Sequence, residues 1–150
     1  MTRSEICHVD NVIGDQLIGA HMPDGIQARG PEYEVWGKRI RVYIPCTKAQ
    51  KAAYEAYVRS MIGTPYDLKS IFGIALDQSS LHDAGKLICS AFGKLAVDEK
   101  SGIVNVRKTY YLTSPEELRI ADSATYGAIE QVVIGSGPVP PLALAAGASA

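Results

Sequence analysis

Three kinds of residue in this chain have the chemistry to break an acyl bond together. They are a cysteine as nucleophile, a histidine as its base and a polar group to orient the histidine. In Leu87-Ile88-Cys89-Ser90-Ala91-Phe92-Gly93 a short apolar lead-in turns into a helix at the cysteine. Ile88, Ala91, Phe92, Leu95 and Ala96 then recur at helical spacing. A cysteine in the first turn of a helix sits among unpaired backbone N–H groups at the positive end of the dipole, and both favour the thiolate. Most free cysteines are simply small buried hydrophobes, so the reading of Cys89 as a nucleophile depends on the rest of the chain supplying a base.

The chain has three histidines. Residues 6–13 and 17–21 read as strands on either side of Gly14-Asp15, a pair suited to a two-residue type II′ hairpin turn. That turn places Ile13 opposite Gln16, Val12 opposite Leu17, Asn11 opposite Ile18, Asp10 opposite Gly19, Val9 opposite Ala20 and His8 opposite His21. His8 and His21 thus become cross-strand neighbours on a face shared with Asp10 and Gly19, while Val9, Ile13, Ile18 and Ala20 form a core face. A slip of one residue would separate the histidines. His82 lies in a polar stretch, 77–85, a few residues before Cys89 and is a rival base. Strand positions are better fixed than loop positions, which favours His8.

The remaining elements must hold these groups in place. Pro23-Asp24-Gly25 is a turn, 25–29 a short strand, and Gly30-Pro31 a break. Residues 36–44 alternate as a half-buried strand, with Ile40, Val42 and Ile44 on one side. Lys38, Arg39 and Arg41 offer attraction for an anionic substrate, though such residues are more often a solvated face. Thr47 and Gln50 form a capping box that opens a helix stopped by Gly63. Ala49, Ala52, Ala53, Ala56, Tyr57 and Met61 form its expected packing face, with Cys46 at least partly buried beside it. Gly63-Thr64-Pro65-Tyr66-Asp67 turns the chain into a second helix through Leu76. A strand is expected over 103–107 and a last one over 129–134. Between them, Ser114-Pro115-Glu116-Glu117-Leu118 opens a short helix. This predicts one domain over 1–134 and a flexible Gly/Pro/Ala-rich tail over 135–150. Cys7, beside His8 but on the other strand face, is expected in the core.

Composition narrows the classes. The chain has 150 residues, 47% hydrophobic and 21% charged, with a formal net charge of -1. Nothing in that balance points to nucleic acid or an anionic membrane as partner. Three cysteines are an odd number, and none has zinc-finger spacing to another cysteine or a histidine. No apolar run is long enough to span a bilayer, and residues 1–5 lack the apolar core of a signal peptide. The expectation is a chain made in the cytoplasm with reduced cysteines, reaching any external substrate on a phage or through a dedicated export route. Oligomeric state is not legible.

Cys7-His8-Val9, His21 one hairpin later, Gly63-Thr64-Pro65-Tyr66-Asp67, Ile88-Cys89-Ser90 and Ser114-Pro115-Glu116-Glu117-Leu118 stand in a particular order. That order, over about residues 6–120, resembles the circularly permuted branch of the NlpC/P60 superfamily of papain-like hydrolases. The branch includes the YiiX/YebB-like hydrolases and, more distantly, the lecithin:retinol acyltransferase group. In it the histidine precedes the cysteine. The resemblance implies an α+β papain-like fold in permuted order, with an antiparallel sheet packed against helices. It implies Cys89 as nucleophile, His8 as general base and His21 as the orienting third group, with Asp10 as the alternative. Many relatives place an acid near the position of Gly19, where this chain has none. Tyr66 and Asp67 match the family turn and are expected to be structural.

The function so implied is a cysteine peptidase or amidase. It would cleave a cell-wall peptide, an isopeptide-like amide or another acyl substrate through an acyl-enzyme, with no metal or organic cofactor. Two other readings stand beside it: a catalytically silent binding or structural protein associated with a phage or secretion apparatus, and a lipid acyltransferase or thioesterase.

Overall fold

The computed structural model describes residues 6–35, 37–76, 78, 80–81 and 83–135. His82 and residues 136–150 of the expected tail lie outside the described residues. The chain is α+β, with antiparallel sheets and helices.

The first sheet joins β1 (Asn11–Ile13), β2 (Gln16–His21) and β3 (Gly25–Arg29) in that order. Gly14 takes φ +62° in the two-residue turn, a conformation that costs glycine little. The register is the one the turn dictates: Asn11 opposite Ile18, Val12 opposite Leu17 and Ile13 opposite Gln16. β1 is shorter than the strand expected over 6–13. Residues 6–10 leave the ladder and are held by side chains instead, with Val9 packed against an apolar cluster and His8 and Asp10 engaged in hydrogen bonds. Ile13, Ile18 and Ala20 are buried together with Ile26 of β3, as a core face requires.

β4 (Lys38–Tyr43) and β5 (Ile129–Ile134) form a separate antiparallel pair, with Lys38 opposite Ile134 and Tyr43 opposite Ile129. The expected strand over 103–107 does not form. The N–H groups of Ile103 and Val104 both donate to Val97 O, and that of Val106 donates to Asp98. Those donors close off the end of the preceding helix and are lost to any ladder.

Helix α1 (Lys48–Ser60) has the expected capping box, with Thr47 and Gln50 each bonding the other's backbone N–H. Its packing face keeps Tyr57 and Met61 of the expected one and departs from it at the alanines. Tyr54, Tyr57, Val58 and Met61 meet the core, while Ala49, Ala52 and Ala56 are exposed. Alanine favours helix on any face and offers little area to bury, so bulk decides the rotation. Helix α2 (Leu68–Leu76) begins after Asp67, and α4 (Pro115–Ser123) has a second capping box between Ser114 and Glu117.

Helix α3 (Cys89–Lys94) runs into a π-helical turn, Leu95–Glu99. Every residue from Leu87 to Val97 is buried. Even Lys94 is covered, its ammonium donating to Asp98 at 2.8 Å and Glu99 at 3.2 Å, as a buried charge requires. Gly93 lets the helix approach its neighbours: a Cβ there would lie 2.8 Å from Leu118 and 3.2 Å from Val9. Among the described residues, no helix is long and apolar enough to cross a membrane.

A cavity of about 640 Å³ separates the N-terminal strand from β4, with Val9, Val42 and Leu118 among its walls. Asp122 borders it, and its Oδ1 is buried without a hydrogen-bond partner. Burial raises the carboxyl pKa to about 7. The folded state therefore holds a proton that the unfolded chain releases at ordinary carboxyl values. Stability from this group is present at low pH and declines as pH rises towards 7. Asp122→Asn should leave the melting temperature nearly unchanged at pH 4 and raise it at pH 8. Equal effects at both pH values, read by thermal denaturation, would contradict this account.

Candidate functional site

The site lies where residues 8–10 meet the end of β2 and the start of α3. Its positioning begins with the turn Gly63–Asp67. Ile26 N–H of β3 donates to Thr64 O at 2.9 Å, and Gly63 N–H donates back to Ile26 O at 2.8 Å. A Cβ at Gly25, which has φ +81°, would lie 2.2 Å from Thr64 O, so the close approach needs glycine. On its other side the turn holds the lead-in to α3: Leu87 N–H donates to Pro65 O and Asp67 N–H to Leu87 O, both at 3.1 Å. The turn thus ties the sheet that bears the histidines to the helix that begins with the cysteine.

Asp67 secures this link from within. It is fully buried, and its carboxylate accepts from the N–H groups of Lys69, Ser70 and Asp83 and from the Ser70 hydroxyl. Capping α2 while holding residue 83 satisfies a buried carboxylate that would otherwise be costly. The expected structural role of Asp67 is therefore visible in its bonds.

Cys89 is the first residue of α3, following Ile88 at the N-cap. Its backbone N–H has no acceptor within the helix, as at any helix start. The residue is 5% exposed. The structure brings Cys89, His8 and His21 into one constellation. The His8 and Cys89 side chains are within hydrogen-bonding reach of each other. His8 Nε2 also lies 3.0 Å from Asp10 Oδ1, and His21 Nε2 lies 3.2 Å from the same oxygen. The two imidazole centroids are 4.2 Å apart, as the hairpin register predicts.

Asp10 is the common partner. Burial opposes its charge, but hydrogen bonding and attraction from His8, with further contributions from Tyr33 and His21, hold its pKa below the ordinary value. An ionised carboxylate can only accept, so both Nε2 atoms carry hydrogen. Burial likewise opposes the charged form of His8, but hydrogen bonds to Asp10 and Cys89 outweigh it and raise the pKa to about 10. His21 shifts the other way, lowered by burial and by repulsion from His8. The arrangement near neutral pH is one imidazolium, one neutral imidazole and one carboxylate. With Nε2 of His8 committed to Asp10, Nδ1 is the nitrogen left to exchange a proton with the thiol.

Gly19 explains how Asp10 fits. A Cβ on Gly19 would lie 1.8 Å from Asp10 Oδ1. The Asp10 carboxylate therefore occupies the space that a side chain at this position of β2 would need.

Tyr33 belongs to the site and was not expected from the sequence. Its hydroxyl donates to Asp10 Oδ2 at 2.7 Å and lies 3.0 Å from His21 Nε2. It comes from the irregular segment after Gly30-Pro31, where neither periodicity nor a motif marks it. Cys7, expected in the core, and Cys46, expected to be at least partly buried, are both exposed. Cys7 lies outside the ladder, and Cys46 lies in the chain before the α1 cap. Lys38, Arg39 and Arg41 border the cavity, which His8 and Asp10 also line.

Compared with family models, with curated proteins and with solved structures, the chain matches none.

Gly19→Ala should displace the Asp10 carboxylate while leaving the fold intact. The His8 pKa should then fall by about 1 to 3, the usual effect of an opposite charge nearby. Ring-proton titration by NMR measures this. An unchanged His8 in a folded variant would mean that Asp10 does not hold it.

Proposed function

We propose that the chain is a cysteine hydrolase of the papain-like class, with its histidine ahead of its cysteine in sequence as in the permuted NlpC/P60 branch. The observation that supports this most is the hydrogen-bonded series from the Cys89 sulfur through His8 to Asp10, set at the start of a buried helix. In the proposed reaction the proton shared by Cys89 and His8 rests on the imidazolium, and the Cys89 thiolate attacks an amide or related acyl carbonyl. The backbone N–H of Cys89 stabilises the oxyanion. The leaving amine departs with the proton from His8, and water, deprotonated by the same ring, releases the acid from the thioester. Asp10 holds the His8 ring and stabilises its charge, while His21 and Tyr33 hold Asp10. The substrate class that fits the resemblance is a peptide or isopeptide-like amide.

The 5% exposure of Cys89 favours a second reading, a catalytically silent binding or structural protein. Thiol labelling separates the two. In the hydrolase reading, Cys89 reacts faster than Cys7 and Cys46 near neutral pH despite its burial, and His8→Ala abolishes the difference. Against a panel of peptide amides and lipid esters, Cys89→Ala should eliminate turnover. His8→Ala should lower kcat/KM by about 10²- to 10⁴-fold, the usual contribution of a general base. If Cys89 reacts more slowly than the two exposed cysteines and no acyl substrate is turned over, the silent reading stands.

A further inference from the structure

We propose that His8, Asp10 and His21 form a binding site for a divalent transition cation of the zinc class. The ligand atoms are His8 Nε2, His21 Nε2 and Asp10 Oδ1, all within 4.8 Å of one another. The two contacts to Oδ1 are 3.0 and 3.2 Å. A tetrahedral zinc ion with ordinary bond lengths separates its ligand atoms by about 3.3 Å. Both separations from Asp10 Oδ1 are thus within a few tenths of an ångström of that value, and the two nitrogens lie no more than 4.8 Å apart. Two imidazoles and a carboxylate are an ordinary donor set for such a cation, and a three-ligand set leaves a position for water.

The surroundings supply what a metal site needs beyond its ligands. Metal-binding histidines usually give their other ring N–H to an acceptor, and ligating carboxylates are themselves hydrogen-bonded. His8 has the Cys89 sulfur as that acceptor, and Asp10 Oδ2 receives the Tyr33 hydroxyl at 2.7 Å. The three side chains are sheltered yet not sealed, at 17%, 11% and 16% exposure for His8, Asp10 and His21. Gly19 keeps the facing strand clear of the carboxylate. No local spacing announces the set, because His21 joins the other two only across the hairpin.

The site itself does not depend on the acyl-transfer reading, but one consequence does. A bound cation releases the Nε2 protons of both histidines to solvent and takes the atom through which Asp10 holds His8, so metal-bound and catalytically oriented states exclude each other. Occupancy would then silence the enzyme.

The test is calorimetric titration of the chelator-treated full chain with Zn²⁺, with Co²⁺ absorption as a second readout. A Cys7→Ser/Cys46→Ser background removes the exposed thiols. The expected result is one equivalent bound at micromolar affinity or tighter. Tyr33→Phe should weaken it by about 10- to 100-fold, as loss of a supporting partner does. His21→Ala should abolish it, with circular dichroism confirming that the variant is folded. His21→Gln serves as a second variant should His21→Ala fail to fold. The Co²⁺ spectrum should lack thiolate charge transfer. No binding, binding that survives loss of His21, or a charge-transfer band removed by Cys89→Ser would overturn the assignment. In a separate arm, Zn²⁺ should slow Cys89 labelling in the parent and not in His21→Ala. Binding as expected with labelling unchanged would leave the metal site standing and count against the acyl-transfer reading.

Discussion

One sheltered carboxylate organises the site. Asp10 accepts from two imidazoles and a phenol, and each of these groups occupies its position because the carboxylate is there. Removing an anion from water is costly unless its lone pairs are satisfied, and three donors converging on two oxygens meet that need. The same bonds make the two histidines unequal. His8, held between Asp10 and the thiol, keeps its proton, whereas His21, beside that positive ring, is driven neutral. A pair of like groups with separated protonation states is a common basis for division of labour in a catalytic site.

The carboxylate has its place because another side chain is missing. Gly19 leaves open the volume that Asp10 fills, and the turn at Gly14 sets the register that makes them neighbours. The thiol arrives by a different route. The Gly63–Asp67 turn hydrogen-bonds to β3 on one side and to Leu87 on the other, so backbone bonds alone tie the helix start to the sheet. Complete burial of residues 87–97 leaves α3 little freedom to rotate or slide, because a packed interior resists displacement. Pre-organisation of this kind is what both proposed uses of the site require, whether the species held is an acyl group or a cation.

The two proposals share atoms and differ in what they ask of them. Proton exchange with Cys89 uses one nitrogen of His8 and leaves the other on Asp10. Cation binding needs that second nitrogen and spares the thiol. A residue set able to serve either purpose follows from chemistry, since imidazole and carboxylate are good hydrogen-bonding groups and good ligands for the same lone-pair reasons.

Much of this was legible along the chain because it is local. Thr47 with Gln50, and Ser114 with Glu117, announce their helices through bonds spanning one turn. Gly14-Asp15 announces a hairpin whose register sends His8 and His21 to the same side, and the apolar period after Ile88 announces a buried helix. Where local signals were weak or contested, tertiary packing decided. Bulk rather than alanine content set the face of α1, and donors spent on Val97 and Asp98 removed the strand over 103–107. Tyr33 joined the site from an irregular segment that has no period to read. By itself the sequence determined the spacing of backbone hydrogen bonds, and with it the turns, caps and register, because those depend on residues a few positions apart. Only the tertiary structure decided that Asp10 stands between the histidines and that Cys89 meets His8. Such contacts depend on which distant surfaces exclude water together, and no short stretch of chain specifies that.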